Sequence, residues 1–126
     1  GEDKEAILLG GRDREPSIRR LAPAIAEIAD GVYRGKTRDE IRGTGYVVES
    51  LEAALSCFWR SGSYRDAIMM AANLGDDADT TAAVCGQIAG AYYGVEGIPR
   101  GWLSKVARRD FIASTAGKLF ERRLAA

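Results

Sequence analysis

Histidine is absent from the 126 residues, and cysteine and proline are scarce at two and three. With no imidazole and no Cys-x-x-Cys spacing, a structural zinc site is excluded. Cys57 and Cys85 both fall inside apolar helical patterns, so they read as buried free thiols suited to a reducing, cytoplasmic setting. No stretch approaches the eighteen or so uncharged apolar residues that a membrane span requires, and the charged start Gly1-Glu2-Asp3-Lys4-Glu5 does not read as a signal peptide. Eighteen basic and eighteen acidic residues cancel, which leaves no global basic field to attract nucleic acid or an anionic membrane.

What remains is a chain of 46% apolar content that fits one globular domain with a real core. Its dominant signal is helical. Val47, Val48, Leu51, Ala54, Leu55, Phe58 and Trp59 form one apolar stripe at three-and-four spacing, which predicts a core-facing helix from Tyr46 to Arg60, bounded by glycines on both sides. A second helix is predicted over Tyr64 to Asn73 and a third over Thr80 to Tyr93. In the third, Ala82, Gly86, Gly90 and Gly94 recur every four residues, so small side chains line one face and neighbouring helices can cross closely. Two more helices are expected, one near Pro99 and one over Asp110 to Leu124. The latter carries Phe111, Leu119 and Phe120 among arginines and reads as an amphipathic, solvated helix. In the N-terminal third, Ile18, Leu21, Ile25 and Ile28 keep helical spacing, with Pro23 placed to open a helix at its first turn. Residues 1–15 are charged and read as an extended or disordered segment, and 16–126 as the folded region. No β-alternation is present, and the fold class is all-α.

The chemistry concentrates at Gly75-Asp76-Asp77-Ala78-Asp79-Thr80, at the head of the third helix. Unit charges about 4 Å apart repel by roughly 1 kcal/mol even in water, so three carboxylates gathered there ask for a counterion. Carboxylate and hydroxyl oxygens suit Mg²⁺, Mn²⁺ or Ca²⁺. Simple capping of the helix is the alternative, and it explains one aspartate better than three. An EF-hand loop starting at Asp77 fails, because Ala82 and Ile88 occupy the positions that need glycine and glutamate. An Asp-x-Asp-x-Thr phosphatase signature matches Asp77, Asp79 and Thr81, with Asp77 as nucleophile, but that motif requires a preceding hydrophobic strand. The aromatic residues Trp59, Trp102, Tyr92 and Tyr93 lie beside apolar neighbours and read as core. The basic run from Arg100 to Arg123 reads as a solvated helix face.

Three segments in order carry a resemblance: Gly43-Thr44-Gly45-Tyr46-Val47-Val48-Glu49-Ser50-Leu51-Glu52-Ala53-Ala54-Leu55, then Asn73 to Thr81, then Gly86-Gln87-Ile88-Ala89-Gly90-Ala91-Tyr92-Tyr93-Gly94. Over roughly residues 19–112 the chain resembles the ADP-ribosylglycohydrolase family, which includes dinitrogenase reductase-activating glycohydrolases. The resemblance implies an all-helical hydrolase that uses two Mg²⁺ or Mn²⁺ ions to release ADP-ribose from modified protein side chains or related ADP-ribosyl compounds. It implies Asp77 and Asp79 as carboxylate ligands and catalytic residues, and Thr80 as a hydroxyl ligand. The loop Gly43, Thr44, Gly45 and Tyr46 would lie against the ADP-ribosyl group, where glycine lets the backbone approach closely. Ala78 replaces a threonine common in relatives. The resemblance further implies that family members are about twice this length and take their other metal ligands from an N-terminal Asp-Asp-Thr type motif. On that expectation the chain is a C-terminal half whose missing half is a partner, and the isolated chain has little activity. A non-catalytic helical module that binds an ADP-ribosyl ligand or a partner chain is the alternative.

Overall fold

In the computed structural model, residues 3–9 and 21–124 are described. Their architecture is helical throughout, with no strand among them. Seven α-helices run in order: α1 (Lys4–Leu9), α2 (Pro23–Ala29), α3 (Val47–Arg60), α4 (Tyr64–Ala72), α5 (Ala78–Tyr93), α6 (Arg100–Leu103) and α7 (Arg109–Leu124). Single 3₁₀ turns at Val32–Arg34, Arg38–Glu40 and Val95–Gly97 connect them.

The centre is a three-helix packing of α3, α4 and α5. Ala54, Cys57 and Phe58 of α3 meet Ala67 and Ala71 of α4 and Cys85 and Ala89 of α5, all buried. Small residues dominate these contacts, so the helix backbones approach closely, as the glycine spacing of α5 predicts. A Cβ added at Gly86 would lie 3.4 Å from Ile68 Cδ1 and 3.5 Å from Tyr64 Oη. A second cluster, Ile28, Tyr33, Ile41 and Ala53, covers the other side of α3, and Leu74 packs against both. The two cysteines are buried and free, and burial pushes their thiols up, to about 11 for Cys57 and about 12 for Cys85.

Helix boundaries follow local chemistry. Ser63 caps α4 by accepting the Asp66 N–H at 3.0 Å. Pro23 opens α2 within its first turn. Gly31, at φ 77°, takes the left-handed turn that leads out of α2.

One sequence expectation needs correction: residues 1–15 read as an extended or disordered segment, yet Lys4–Leu9 is helical. Lys4 docks it: its ammonium donates to Phe58 O at 2.6 Å and Ser61 O at 2.5 Å and lies 4.4 Å from the Phe58 ring centroid. A cation there complements the negative end of α3. Residues 1–2 and 10–15, and Ile18, lie outside the described residues. α7 forms as predicted, starting at Arg109. Its apolar residues find no cover among the described residues: Phe111, Ile112, Leu119 and Phe120 are all more than half exposed. No helix among the described residues is long and apolar enough to cross a membrane.

Candidate functional site

The acidic box is formed by the reversal between α4 and α5. Gly75 at φ 86° and Asp76 at φ 53° take successive left-handed conformations. Glycine adopts that region without cost, and aspartate is among the few other residues that tolerate it. The reversal separates the three aspartates. Asp76 turns to Arg42 and accepts a two-pronged ion pair, Nε to Oδ2 at 2.9 Å and Nη2 to Oδ1 at 3.2 Å. Its carboxyl is held below the ordinary value by that guanidinium, whose own value is raised in return.

Asp77 takes the N-cap position of α5, but its side chain caps no backbone N–H. Its carbonyl accepts the Thr81 N–H at 3.1 Å, which leaves the half-buried carboxylate uncommitted to the helix. Capping therefore does not account for Asp77. Asp79 lies in the exposed first turn, and its carboxyl is lowered by a hydrogen bond with Asp77, then by the backbone N–H groups of Thr80 and of Asp79 itself. Thr80 is exposed beside it. The phosphatase reading loses its support here, because a helix and a turn precede Asp77 where a strand is required.

The glycine loop lies directly on this box. Asp77 N–H donates to Gly43 O at 2.8 Å. A Cβ at Gly45 would lie 3.4 Å from Asp77 Oδ2, and one at Gly43 only 2.9 Å from Thr81 Oγ1. Gly43 is thus required by close approach, and the fully buried Thr81 hydroxyl beneath it has no hydrogen-bond partner among the described residues. At the other end of the loop, the Thr44 hydroxyl donates to Glu49 Oε2 and accepts the Tyr46 N–H at 3.2 Å. Tyr46 and Val47 are 60% and 70% exposed, so they form an open apolar lip next to the acidic box.

The structure therefore brings Gly43 and Gly45 against Asp77, with Asp79 and Thr80 in the first turn that follows, and it leaves Asp76 to the loop's arginine. Two residues outside the sequence-derived set, Arg42 and Glu49, hold the loop from either side. The aromatic residues stay apart: Phe58, Tyr92 and Tyr93 stack edge to face, with centroids at 5.3 Å for Phe58–Tyr92 and 4.9 Å for Tyr92–Tyr93. Trp102 meets Tyr64 at 6.4 Å, and Trp59 lies under the Arg34 guanidinium.

As a donor set, Asp77, Asp79 and Thr80 offer hard oxygens only, which fits Mg²⁺ or Mn²⁺. The set is partial. No group of three or more His, Cys, Asp or Glu side chains that could hold a metal exists among the described residues.

An all-helical domain that presses a glycine loop onto an acidic box at a helix head defines a narrow class. Comparison with known proteins gives the family: the ADP-ribosylglycohydrolase model matches residues 1–126, and the chain belongs to that family. It is 49% identical over 120 residues to the ADP-ribosylarginine hydrolase Tri1 of Pseudomonas putida (strain GB-1), covering 92% of this chain and 32% of that protein. It is 32% identical over 102 residues to the ADP-ribosyl-[dinitrogen reductase] glycohydrolase of Rhodospirillum rubrum, covering 79% and 33%. To the human ADP-ribosylhydrolase ARH3 it is 29% identical over 130 residues, covering 89% and 35%. The chain spans about a third of the length of the curated relatives it matches, which corrects the expectation of half.

Proposed function

We propose that this chain supplies one side of a two-ion Mg²⁺ or Mn²⁺ site, and the loop that holds the ADP-ribosyl group, in a hydrolase that cleaves the bond between ADP-ribose and a modified side chain. The contact of the Gly43 loop with the acidic box carries the reading. One backbone hydrogen bond fixes a glycine-rich, closely approachable segment against Asp77, whose carboxylate the helix does not use as a cap, with Asp79 two residues further on. The relatives named for ADP-ribosylarginine and for dinitrogen reductase make an arginine-linked ADP-ribosyl group the substrate to test first.

In this reading Asp77 and Asp79 are the catalytic carboxylates, and with Thr80 they hold the cations through oxygen. When bound, the ions supply Lewis acidity that orients the ribose hydroxyls and favours attack of water at the anomeric carbon. The chain's own residues do the rest. The Asp79 carboxyl, lowered by its hydrogen bond with Asp77 and by the backbone N–H groups of Thr80 and Asp79, offers an ionised oxygen to a cation at neutral pH. Gly43 and Gly45 let the loop backbone reach the ligand, and Tyr46 offers an exposed ring beside it. Two carboxylates and a hydroxyl do not complete a two-ion site, so further ligands come from outside the described residues. The 126 residues alone would then release little ADP-ribose. Two buried free thiols suit a reducing compartment such as the cytoplasm.

The test is release of ADP-ribose from an ADP-ribosylarginine protein by the full-length protein carrying this chain, with Mg²⁺ or Mn²⁺ present. The double variant Asp77→Asn, Asp79→Asn should lose metal-dependent turnover by several orders of magnitude. Turnover retained in that variant would sink the reading. A module that binds ADP-ribose without hydrolysing it would show no turnover in the wild type.

A further inference from the structure

We infer that Glu49 is a positioning residue for the glycine loop, acting on the bound ligand through Thr44 without touching it; the inference rests on the proposed function above. Glu49 is the third residue of α3, whose N-cap is Tyr46. In an ordinary capping box, a glutamate there reaches back to the N-cap N–H. Here that N–H goes instead to Thr44 Oγ1 at 3.2 Å, and the Thr44 hydroxyl in turn donates to Glu49 Oε2. The threonine hydroxyl is inserted into the box, so the helix's own cap extends into the loop. The carboxylate is half-buried and committed to this bond.

The loop is consequently pinned at two ends. Gly43 O is tied to α5 through Asp77 N–H at 2.8 Å, and Thr44 and Tyr46 are tied to α3 through Glu49. Of the four loop residues, only Gly45 makes neither tie. Removing the α3 anchor leaves the acidic box intact but frees the end of the loop that carries Tyr46, so ordering that end becomes a cost of ligand binding. A glutamine at position 49 keeps an oxygen that accepts the Thr44 proton, whereas alanine does not.

The experiment uses the full-length protein and measures ADP-ribose affinity, Mn²⁺ affinity without ADP-ribose, KM and kcat, and the thermal midpoint. Glu49→Ala should weaken ADP-ribose about tenfold and raise KM more than it lowers kcat, with Mn²⁺ affinity unchanged. Glu49→Gln should restore most of the affinity. Thr44→Val should match Glu49→Ala, and the two together should cost little more than either, because both break one relay. A cap with only a structural role would lower the midpoint and leave the affinity of the folded protein alone. Wild-type ADP-ribose affinity in folded Glu49→Ala or Thr44→Val overturns the inference and leaves the proposed function standing. A wild type that binds no ADP-ribose overturns the proposed function and the positioning role together.

Discussion

Helices α5 and α7 are each sixteen residues long and meet opposite fates. α5 buries Thr81, Cys85 and Ala89 completely between α3 and α4, while every described side chain of α7 is exposed. α7 has the larger apolar side chains, with two phenylalanines, an isoleucine and two leucines; α5 is built mostly from alanine, glycine and threonine. Size of apolar side chain therefore does not decide which helix becomes central. Close backbone approach does, and small residues permit it. The same closeness lets α5 carry the glycine loop on its first turn, so packing and candidate site share one cause.

The largest expected effect tests this comparison with one substitution made twice. Phe58→Ala, at 1% exposure, should cost about 3–5 kcal/mol of unfolding free energy, and Phe120→Ala, at 61%, less than about 0.5 kcal/mol. Urea unfolding of both variants measures the contrast. Comparable losses would break it and show that the α7 face is packed in solution.

The contrast also marks what the sequence could disclose. Period and boundaries placed α3, α4 and α5 to within about two residues, because one apolar stripe or one set of small residues dominates each. The same logic placed α7 but could not tell whether anything covers its apolar side, since periodicity reports a face and not a partner. The acidic box and the Gly43 loop were legible as motifs, and their contact was not. It depends on the left-handed pair Gly75 and Asp76, which turns α5 back under the loop. Arg42 left no signal, because its partner lies 34 residues away. Glu49 did leave one: a glutamate three residues after a helix N-cap is the second half of a capping box, although the inserted Thr44 hydroxyl could not be read from it. Thr37 and Glu40 show the same spacing and do pair, with the Thr37 N–H donating to Glu40 Oε2 at 2.7 Å, an interaction that lowers the Glu40 carboxyl.

Two substitutions at the head of α5 sharpen the account of closeness. Gly43→Ala puts a Cβ 2.9 Å from Thr81 Oγ1 and should cost about 1–3 kcal/mol. Adding Thr81→Ala should recover part of that loss, and adding Thr81→Ser, which keeps the oxygen, should not. Thr81→Val alone should have the opposite sign. The buried hydroxyl has no partner among the described residues, so replacing it with a methyl of similar shape should stabilise the fold by about 1 kcal/mol. Loss of stability instead would mean that the hydroxyl is hydrogen-bonded in solution.

The smallest effect is electrostatic and concerns the one aspartate that the structure withdraws from the box. The Arg42 guanidinium holds the Asp76 carboxyl below its usual 3.8. A carboxyl depressed in the folded state contributes stability that is fully present above its unfolded value and is lost as pH falls through the folded one. The Arg42–Asp76 contribution should therefore be constant from neutral pH down to about 4 and should fade below that. The Arg42 side chain is 61% exposed and that of Asp76 36%, so solvent screens the pair and added salt should weaken it further. Asp76→Asn should leave the thermal midpoint at pH 7 nearly unchanged and flatten its decline below pH 4. Asp76→Gly should do the same while also relieving the left-handed backbone at φ 53°. An Asp76→Asn profile that parallels the wild type throughout would mean that the ion pair adds nothing to the reversal, and that Gly75 with the Asp77–Gly43 hydrogen bond holds the loop against α5 without it.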